Sequence, residues 1–175
     1  MIQTVDFAIL DWIQTYLRNP VCDFLLPKIT VLGNKGIIWI VIAITLLVIG
    51  KKTPALEMIM GLVMGVLIGN IALKHLVARA RPCWINTAVD MLVAVPKDYS
   101  FPSGHSMSSF CCAMILLHYN KKLGIPALIL AIVIAFSRLY VYVHFPTDVL
   151  VGSVIGIIIG YFVPRIYEHF FVKEA

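Results

Sequence analysis

Residues 124–168 read GIPALILAIVIAFSRLYVYVHFPTDVLVGSVIGIIIGYFVPRIYE. Two apolar runs, 124–143 and 147–168, flank one short polar junction, His144-Phe145-Pro146-Thr147-Asp148. A helix needs about 20 apolar residues to cross a bilayer's hydrocarbon, and each run supplies them. The span interiors are nearly free of charge, while Arg138, His144 and Asp148 gather where the runs meet. Ionisable groups are costly inside hydrocarbon, so a cluster at the span ends marks a working surface. This hairpin of spans sets the fold class as an all-α, polytopic membrane helix bundle.

Working toward the N-terminus, further spans fall near 33–50, 54–76 and 103–119, making five in all. The second opens with Thr53 as cap and Pro54 at the first helical position. One sizeable loop, 82–102, separates the second and third spans and carries Trp84, Asp90, Lys97 and Asp98. Its apolar stretch 91–95 reads either as a membrane-lying segment that admits a lipid tail or as a loop packed on protein. Ile2, Val5, Ile9, Trp12, Ile13 and Tyr16 recur at helical spacing, with Asp6, Asp11, Gln14 and Arg18 elsewhere around the helix. That is an amphipathic helix suited to the interface. Residues 1–32 are expected to form an interfacial segment, with a six-span bundle as the alternative. The start lacks the basic n-region and unbroken apolar core of a signal peptide. The whole chain, 1–175, reads as one membrane-embedded domain.

Composition agrees. Of 175 residues, 61% are hydrophobic and 13% charged, against about 25% charged in soluble domains. The net charge of +5 is not gathered on a polar face, which excludes a nucleic-acid partner and favours topology or anionic head groups as its meaning. Cys22, Cys83, Cys111 and Cys112 show no metal-ligand spacing, and a Cys22–Cys83 disulfide is conceivable if both face an oxidising compartment. Gly61, Gly65 and Gly69, and again Gly152, Gly156 and Gly160, form ladders that let helix backbones approach closely in lipid. They pack within the monomer or form a homodimer seam. Five crossings put 74–102 and 138–148 on one side. The Lys51-Lys52 and Lys121-Lys122 turns, with Arg165 and Lys173, lie on the other. Short basic turns favour the cytoplasm, so the first side, where five aspartates dilute Lys28, Lys35 and Lys97, is expected to face outward.

Three polar clusters lie on that outer side. Lys74 and Arg81-Pro82 are seven residues apart, which on a continuous helix puts both cations on one face. Pro102-Ser103-Gly104-His105 opens the third span, where a helix N-terminus offers unpaired N–H groups to an anion. Ser103 also reads as a plain helix cap. The third cluster is Ser137-Arg138, His144 and Asp148. A six-residue separation keeps Arg138 and His144 from sharing a helix face, so His144 is expected past the helix end, with Asp148 in reach. A carboxylate on one imidazole nitrogen fixes the tautomer and leaves the other nitrogen's lone pair free. Together the clusters suit the binding and transfer of a phosphoryl group.

Lys74-x6-Arg81-Pro82, Pro102-Ser103-Gly104-His105 and Ser137-Arg138-x5-His144-x3-Asp148 resemble the three-part signature of the type 2 phosphatidic acid phosphatase superfamily. That group includes membrane lipid phosphatases, glucose-6-phosphatase and vanadium-dependent haloperoxidases. The resemblance implies a phosphohistidine mechanism: His144 as nucleophile, Asp148 orienting it, and His105 protonating the leaving oxygen and then activating water. It implies Lys74, Arg81 and Arg138 as phosphoryl ligands, helped by Ser103 and the Gly104 amide, with neither metal nor cofactor. The expected partner is a lipid phosphate or pyrophosphate within the cell membrane. Undecaprenyl pyrophosphate comes first by resemblance to small bacterial members, then phosphatidylglycerophosphate and phosphatidic acid. A transporter or a non-catalytic lipid-binding protein is the alternative class. His75 and Arg79 are expected to point off the Lys74 face toward head groups.

Overall fold

Glycines 152, 156 and 160 place the central helix. In the structure, a computed structural model that describes residues 2–172, they lie along α9 (Pro146–Tyr167) against α7 (Gly104–Tyr119). A Cβ on any of them would come within 2.5 Å of the carbonyl oxygen of Ser103, Met107 or Cys111 respectively. The three contacts step four residues at a time on both helices, so the backbones run together along one helical row. The second ladder, on α4 (Lys52–Gly65) and its continuation, meets α7 from another side: Gly61 faces Cys111, and Gly65 and Gly69 face Met107. Both ladders are therefore used within the chain, and α7 is the helix the others surround.

Among the described residues every regular element is helical. α1 (Ile2–Tyr16) and α2 (Pro20–Leu32) precede α3 (Ile37–Val48); α5 (Lys74–Val77) and α6 (Pro82–Ile85) follow α4; α8 (Lys121–Tyr140) lies between α7 and α9. Asn19 and Asn120 cap α2 and α8 by accepting from backbone N–H groups two or three residues on. Trp39, Met58, Cys111, Ile115 and Ile134 fill the inner core, and Trp39 donates through its indole to Ser109 at 3.0 Å. The outward faces remain apolar: Ile44, Val63, Leu67, Ile129, Ile132 and Leu150 are all exposed. Water would not tolerate so continuous an apolar exterior; lipid does. The chain is a multi-pass membrane protein.

Three helices, Lys52–Ile85, Lys121–Tyr140 and Pro146–Phe170, are long and apolar enough to cross a bilayer. The pair Pro20–Leu32 and Asn34–Val48, bent by 48°, passes the same test only when taken together, as a broken span or a re-entrant loop. Asp23 and Thr30 of α2 both meet the last turn of α8, at Tyr140 and Arg138, so α2 runs along that end of the bundle. The central α7, at 16 residues, is roughly 24 Å long and shorter than the hydrocarbon thickness. Its partners enclose it, so lipid does not set its length. Asp6, Asp11 and Asp23, costly in lipid, all have protein partners: Arg79, the Tyr142 hydroxyl and the Tyr140 hydroxyl.

Three expectations need correction. Thr53 does not cap α4, which starts at Lys52 after Lys51. Cys22 and Cys83 are free thiols, so the conceivable disulfide is not formed. Lys74 and Arg81 do not share a continuous helix: α5 stops at Val77, where Ala78 turns left-handed at φ 46° and donates its N–H to Lys74. Pro82 starts α6. Lys173 lies outside the described residues.

Candidate active site

The break at Ala78 leaves residues 78–81 non-helical between α5 and α6, which lets consecutive side chains enter the protein from a strand-like segment. Arg81 points inward and is almost fully buried. Its Nε donates to the Asp98 carbonyl at 2.7 Å, and its Nη2 donates to the Asp98 carboxylate at 2.8 Å and the Tyr99 carbonyl at 3.2 Å. Its Nη1 donates to the Val143 carbonyl at 2.7 Å and reaches His144 Nε2 at 3.1 Å. Lys74, one turn before the break, bonds the same Asp98 carboxylate. One acid thus holds two cations.

His144 sits in the turn between α8 and α9, past the helix end as its spacing predicts, and is buried. Guanidinium can only donate, so the Nε2 facing Arg81 must carry the lone pair. The proton is then on Nδ1, which faces Ser100 Oγ at 3.4 Å and Asp148 Oδ2 at 3.7 Å. The second distance is beyond a direct hydrogen bond. Ser100 bridges the gap by donating to Asp148 Oδ2 at 2.5 Å. Asp148, in the first turn of α9, also accepts from the Phe145 N–H at 2.9 Å, so it caps its own helix. Burial, followed by the positive charges of Arg81, Arg138 and Lys74, holds the His144 imidazole well below its ordinary value; Asp98 acts the other way. Asp98 lies in the 82–102 loop. Burial alone would raise it, but the Lys74 hydrogen bond and the Arg81 charge outweigh that and hold it to about 2.

Arg138, in the last turn of α8, is only 6% exposed. Its Nη1 donates to Thr30 Oγ1 at 2.6 Å, and its Nε is buried with no partner. No carboxylate forms an ion pair with it among the described residues. A buried guanidinium left so incompletely paired is expensive unless an anion joins it.

The N-terminus of α7 closes the site. Ser103 caps α7 by accepting from Ser106 N–H at 3.3 Å, and its backbone N–H donates to the Asp148 carbonyl at 3.1 Å. Gly104 faces Asn70, whose Oδ1 would lie 3.0 Å from a Cβ placed there. His105 is turned toward Asn34, with Nε2 2.9 Å from Oδ1, and its ring packs on Gly33, where any Cβ would come within 2.6 Å. A cavity of about 570 Å³ lies beside Lys74, lined by Asn70, His75, Trp84, Lys97, Asp98 and Tyr99.

The structure therefore joins Lys74, Arg81, His144 and Asp148 through a chain of short contacts, and links Ser103 to Asp148 through the backbone. Arg138 and His105 come from α8 and α7 with separate supports, Thr30 and Asn34. Arg79 corrects an expectation. It does not turn to head groups but inward, bonding Asp148 Oδ1 and Asp6 Oδ2 at 2.6 Å each. Sequence reasoning missed Asp98, Ser100, Asn34 and Thr30 as well. Each is a polar residue in a loop or on a distant helix, where spacing carries no information about contact. Among the described residues no group of three or more His, Cys, Asp or Glu side chains could hold a metal ion.

Fold and site together define a polytopic membrane protein with a histidine–carboxylate unit under a cage of buried cations. The PAP2 superfamily profile matches residues 54–171, which include all three clusters, and the chain belongs to that family. It is 33% identical over 122 residues to the undecaprenyl-diphosphatase of Sulfolobus acidocaldarius, a match covering 68% of this chain and 58% of that relative. The chain thus spans little more than half the length of that curated relative. Among solved structures, the PAP2 type phosphatidylglycerolphosphate phosphatase from Bacillus subtilis superposes with a TM-score of 0.79 at 29% identity, covering 97% of this chain and 87% of that one. LpxE of Aquifex aeolicus gives 0.77 at 28%, covering 92% and 95%.

Proposed function

We propose that this chain is an integral membrane lipid phosphatase that hydrolyses a lipid phosphate or pyrophosphate through a phosphohistidine intermediate. The observation that carries this reading is an excess of buried positive charge. Lys74, Arg81 and Arg138 are all buried, while Asp98 is the one acid paired with any of them among the described residues. Three cations against one carboxylate leave two positive charges uncompensated, and a phosphoryl dianion is their natural counterpart.

His144 Nε2 attacks phosphorus with the lone pair that faces Arg81, once the arriving phosphoryl oxygen takes over that guanidinium N–H. The P–O bond to the leaving group breaks, and His105 gives that oxygen its proton. His105 then takes a proton from water, whose oxygen displaces His144 and releases inorganic phosphate. Ser100 and Asp148 keep the Nδ1 proton in place and offset the charge that forms on the ring. Lys74, Arg81, Arg138, Ser103 and the Gly104 amide hold the phosphoryl oxygens, supplying the positive charge that a divalent ion supplies elsewhere. No metal or cofactor enters this scheme.

The candidate residues gather at span ends, which supports a site near the head groups and a lipid substrate over a soluble metabolite. Undecaprenyl pyrophosphate is the first candidate, supported by the name of the Sulfolobus relative. Phosphatidylglycerophosphate is second, supported by the Bacillus structural neighbour, and phosphatidic acid third. The basic turns Lys51-Lys52 and Lys121-Lys122 lie at the far helix ends, which supports a site facing the extracytoplasmic side of the cell membrane. The unit is a single domain, working as a monomer or homodimer.

The test is turnover of purified protein on the three lipids, with and without excess chelator. His144→Ala is expected to abolish phosphate release from every one of them. Residual release at wild-type rate would remove the nucleophile, and a strict magnesium requirement would remove the cation scheme.

A further inference from the structure

The amphipathic helix α1 lies outside the region matched to the family, yet it reaches the catalytic floor. Its lipid-facing residues Ile2, Val5, Trp12 and Tyr16 are more than half exposed. Its opposite face inserts Asp6, which is 1% exposed. Asp6 Oδ2 accepts from Arg79 Nη2 and from Thr147 Oγ1, both at 2.6 Å, and Oδ1 accepts from the Thr147 N–H at 3.0 Å. Arg79 Nη1 in turn donates to Asp148 Oδ1 at 2.6 Å and Thr147 Oγ1 at 2.7 Å. The guanidinium carbon stands 3.9 Å from the centre of the Phe145 ring. One guanidinium therefore ties two buried carboxylates from helices far apart in sequence, and its plane is fixed by an aromatic face.

We propose that Arg79 and Asp6 are positioning residues for Asp148, which makes the interfacial helix α1 a working part of the active site. Asp148 divides its oxygens. Oδ2 takes Ser100 and the Phe145 N–H, while Oδ1 is held from outside by Arg79. Freed from Arg79, the carboxylate could rotate about its side-chain torsion, and the Ser100 bridge to His144 would lose its alignment. Asp6 performs the same service for Arg79, since an arginine pulled toward solvent would no longer reach Asp148. Without Arg79 the buried Asp6 would keep only its two Thr147 hydrogen bonds and no countercharge, so the two side chains act together. Membrane docking of α1 through its apolar face is thereby coupled to the geometry of the reacting histidine.

This inference rests on the phosphatase reading above, and its test separates the two. Arg79→Ala, Arg79→Lys, Asp6→Asn and the double variant Asp6→Asn/Arg79→Ala are purified in detergent. Turnover, KM and inhibition by vanadate, which mimics the transferred phosphoryl group, are measured against pH. Arg79→Ala is expected to lower kcat about ten- to a hundredfold, a usual cost of losing a group that orients a catalytic one. KM and vanadate affinity should stay within about twofold, since the phosphoryl ligands are untouched.

The acid limb of kcat supplies a sign that a merely structural role would not. His144 is faced by Arg81, Arg138, Lys74, His105, Asp98 and Asp148, all present in every variant. Removing the Arg79 charge leaves Asp148 less compensated, which favours imidazolium and moves the limb to higher pH. Asp6→Asn leaves Arg79 less compensated and moves it to lower pH. Arg79→Lys keeps the charge, so its limb stays in place and part of the lost kcat returns. The double variant should cost no more than Arg79→Ala alone. An unmoved acid limb in both single variants, or a fall in vanadate affinity that parallels kcat, would overturn the positioning role. Inactive wild type on all lipid phosphates would instead overturn the phosphatase reading.

Discussion

His144 shows how much one neighbour decides. Arg81 at 3.1 Å can only donate, which puts the proton on Nδ1 without reference to Asp148 at all. The carboxylate, 3.7 Å away, then acts through Ser100. Ser100→Ala should leave Nδ1 without a hydrogen-bond acceptor in reach, and kcat is expected to fall about ten- to a hundredfold while KM holds, a pattern read by steady-state kinetics. Wild-type kcat in that variant would mean the Asp148 contact closes directly. Because burial and surrounding cations hold His144 below its ordinary value, the neutral imidazole persists as pH falls through about 6.5. The unfolded chain does take up a proton there and the folded one does not. Stability is therefore expected to fall with pH in that window, which thermal unfolding in detergent would register.

Asp98 carries a different expectation. Its carboxylate occupies Lys74 and Arg81, the cations a phosphoryl group would use. Arg81 keeps three backbone carbonyls without it, those of Asp98, Tyr99 and Val143, so Asp98→Asn should free positive charge without releasing the guanidinium. Vanadate should then inhibit at several-fold lower concentration, roughly three- to tenfold for one surface-facing charge. Weaker inhibition would show that the acid orders the cations more than it competes for them. Asp98 stays ionised down to about 2, so any stability it contributes is present above the usual carboxylate range and is lost as pH falls toward 2.

At the scale of elements, α7 is central because its neighbours lack side chains where they meet it. The rungs differ, and the difference is testable. A Cβ at Gly156 would sit 2.3 Å from the Met107 carbonyl oxygen, whereas at Gly65 its nearest neighbours are Met107 side-chain atoms at 3.7 Å or more. Gly156→Ala must push backbone from backbone and is expected to lower the unfolding temperature and the yield of folded protein. Gly65→Ala needs little beyond ordinary contact and gains helix propensity, so its unfolding temperature should match wild type or rise slightly. Equal effects would mean the α7–α9 approach is not tight.

The ladders, the all-helical membrane class and the turn that carries His144 were legible in the sequence, because four-residue spacing and hydropathy act locally along a helix. The site's connections were not. The end of α5 is set by a left-handed alanine at 78, a conformation that alanine's type does not announce. That break turns Arg79 and Arg81 inward, where a continuous helix would have aimed Arg79 at head groups. The inward partners, Asp6 and Asp148, are separated from Arg79 by about seventy residues in each direction, beyond anything a periodicity can link.

For the whole molecule, the distribution of charge between the two ends of the bundle has to be read after the site is subtracted. Lys74, Arg79 and Arg81 carry ion pairs to Asp98, Asp6 and Asp148, and Arg138 is buried, so in the proposed scheme these cations serve the site and say nothing of topology. At the far end lie the Lys51-Lys52 and Lys121-Lys122 turns, short, basic and without acids of their own, whereas Lys28, Lys35 and Lys97 at the site end share it with Asp11, Asp23 and Asp90. Short loops rich in lysine stay in the cytoplasm because moving them across the membrane is disfavoured during insertion. Residues 30–36 are fixed to the opposite end, since Thr30 touches Arg138 and Asn34 touches His105. Lys97 lines the cavity beside the site at that same end. A cysteine placed there, Lys97→Cys, and one placed at the far turn, Lys121→Cys, should therefore differ in access. Cys22 is the half-exposed native thiol, so both belong in a Cys22→Ser background. In intact cells a membrane-impermeant maleimide is expected to label position 97 and spare position 121 until the membrane is opened. The reverse pattern would turn the protein over in the bilayer and place phosphate release on the cytoplasmic side.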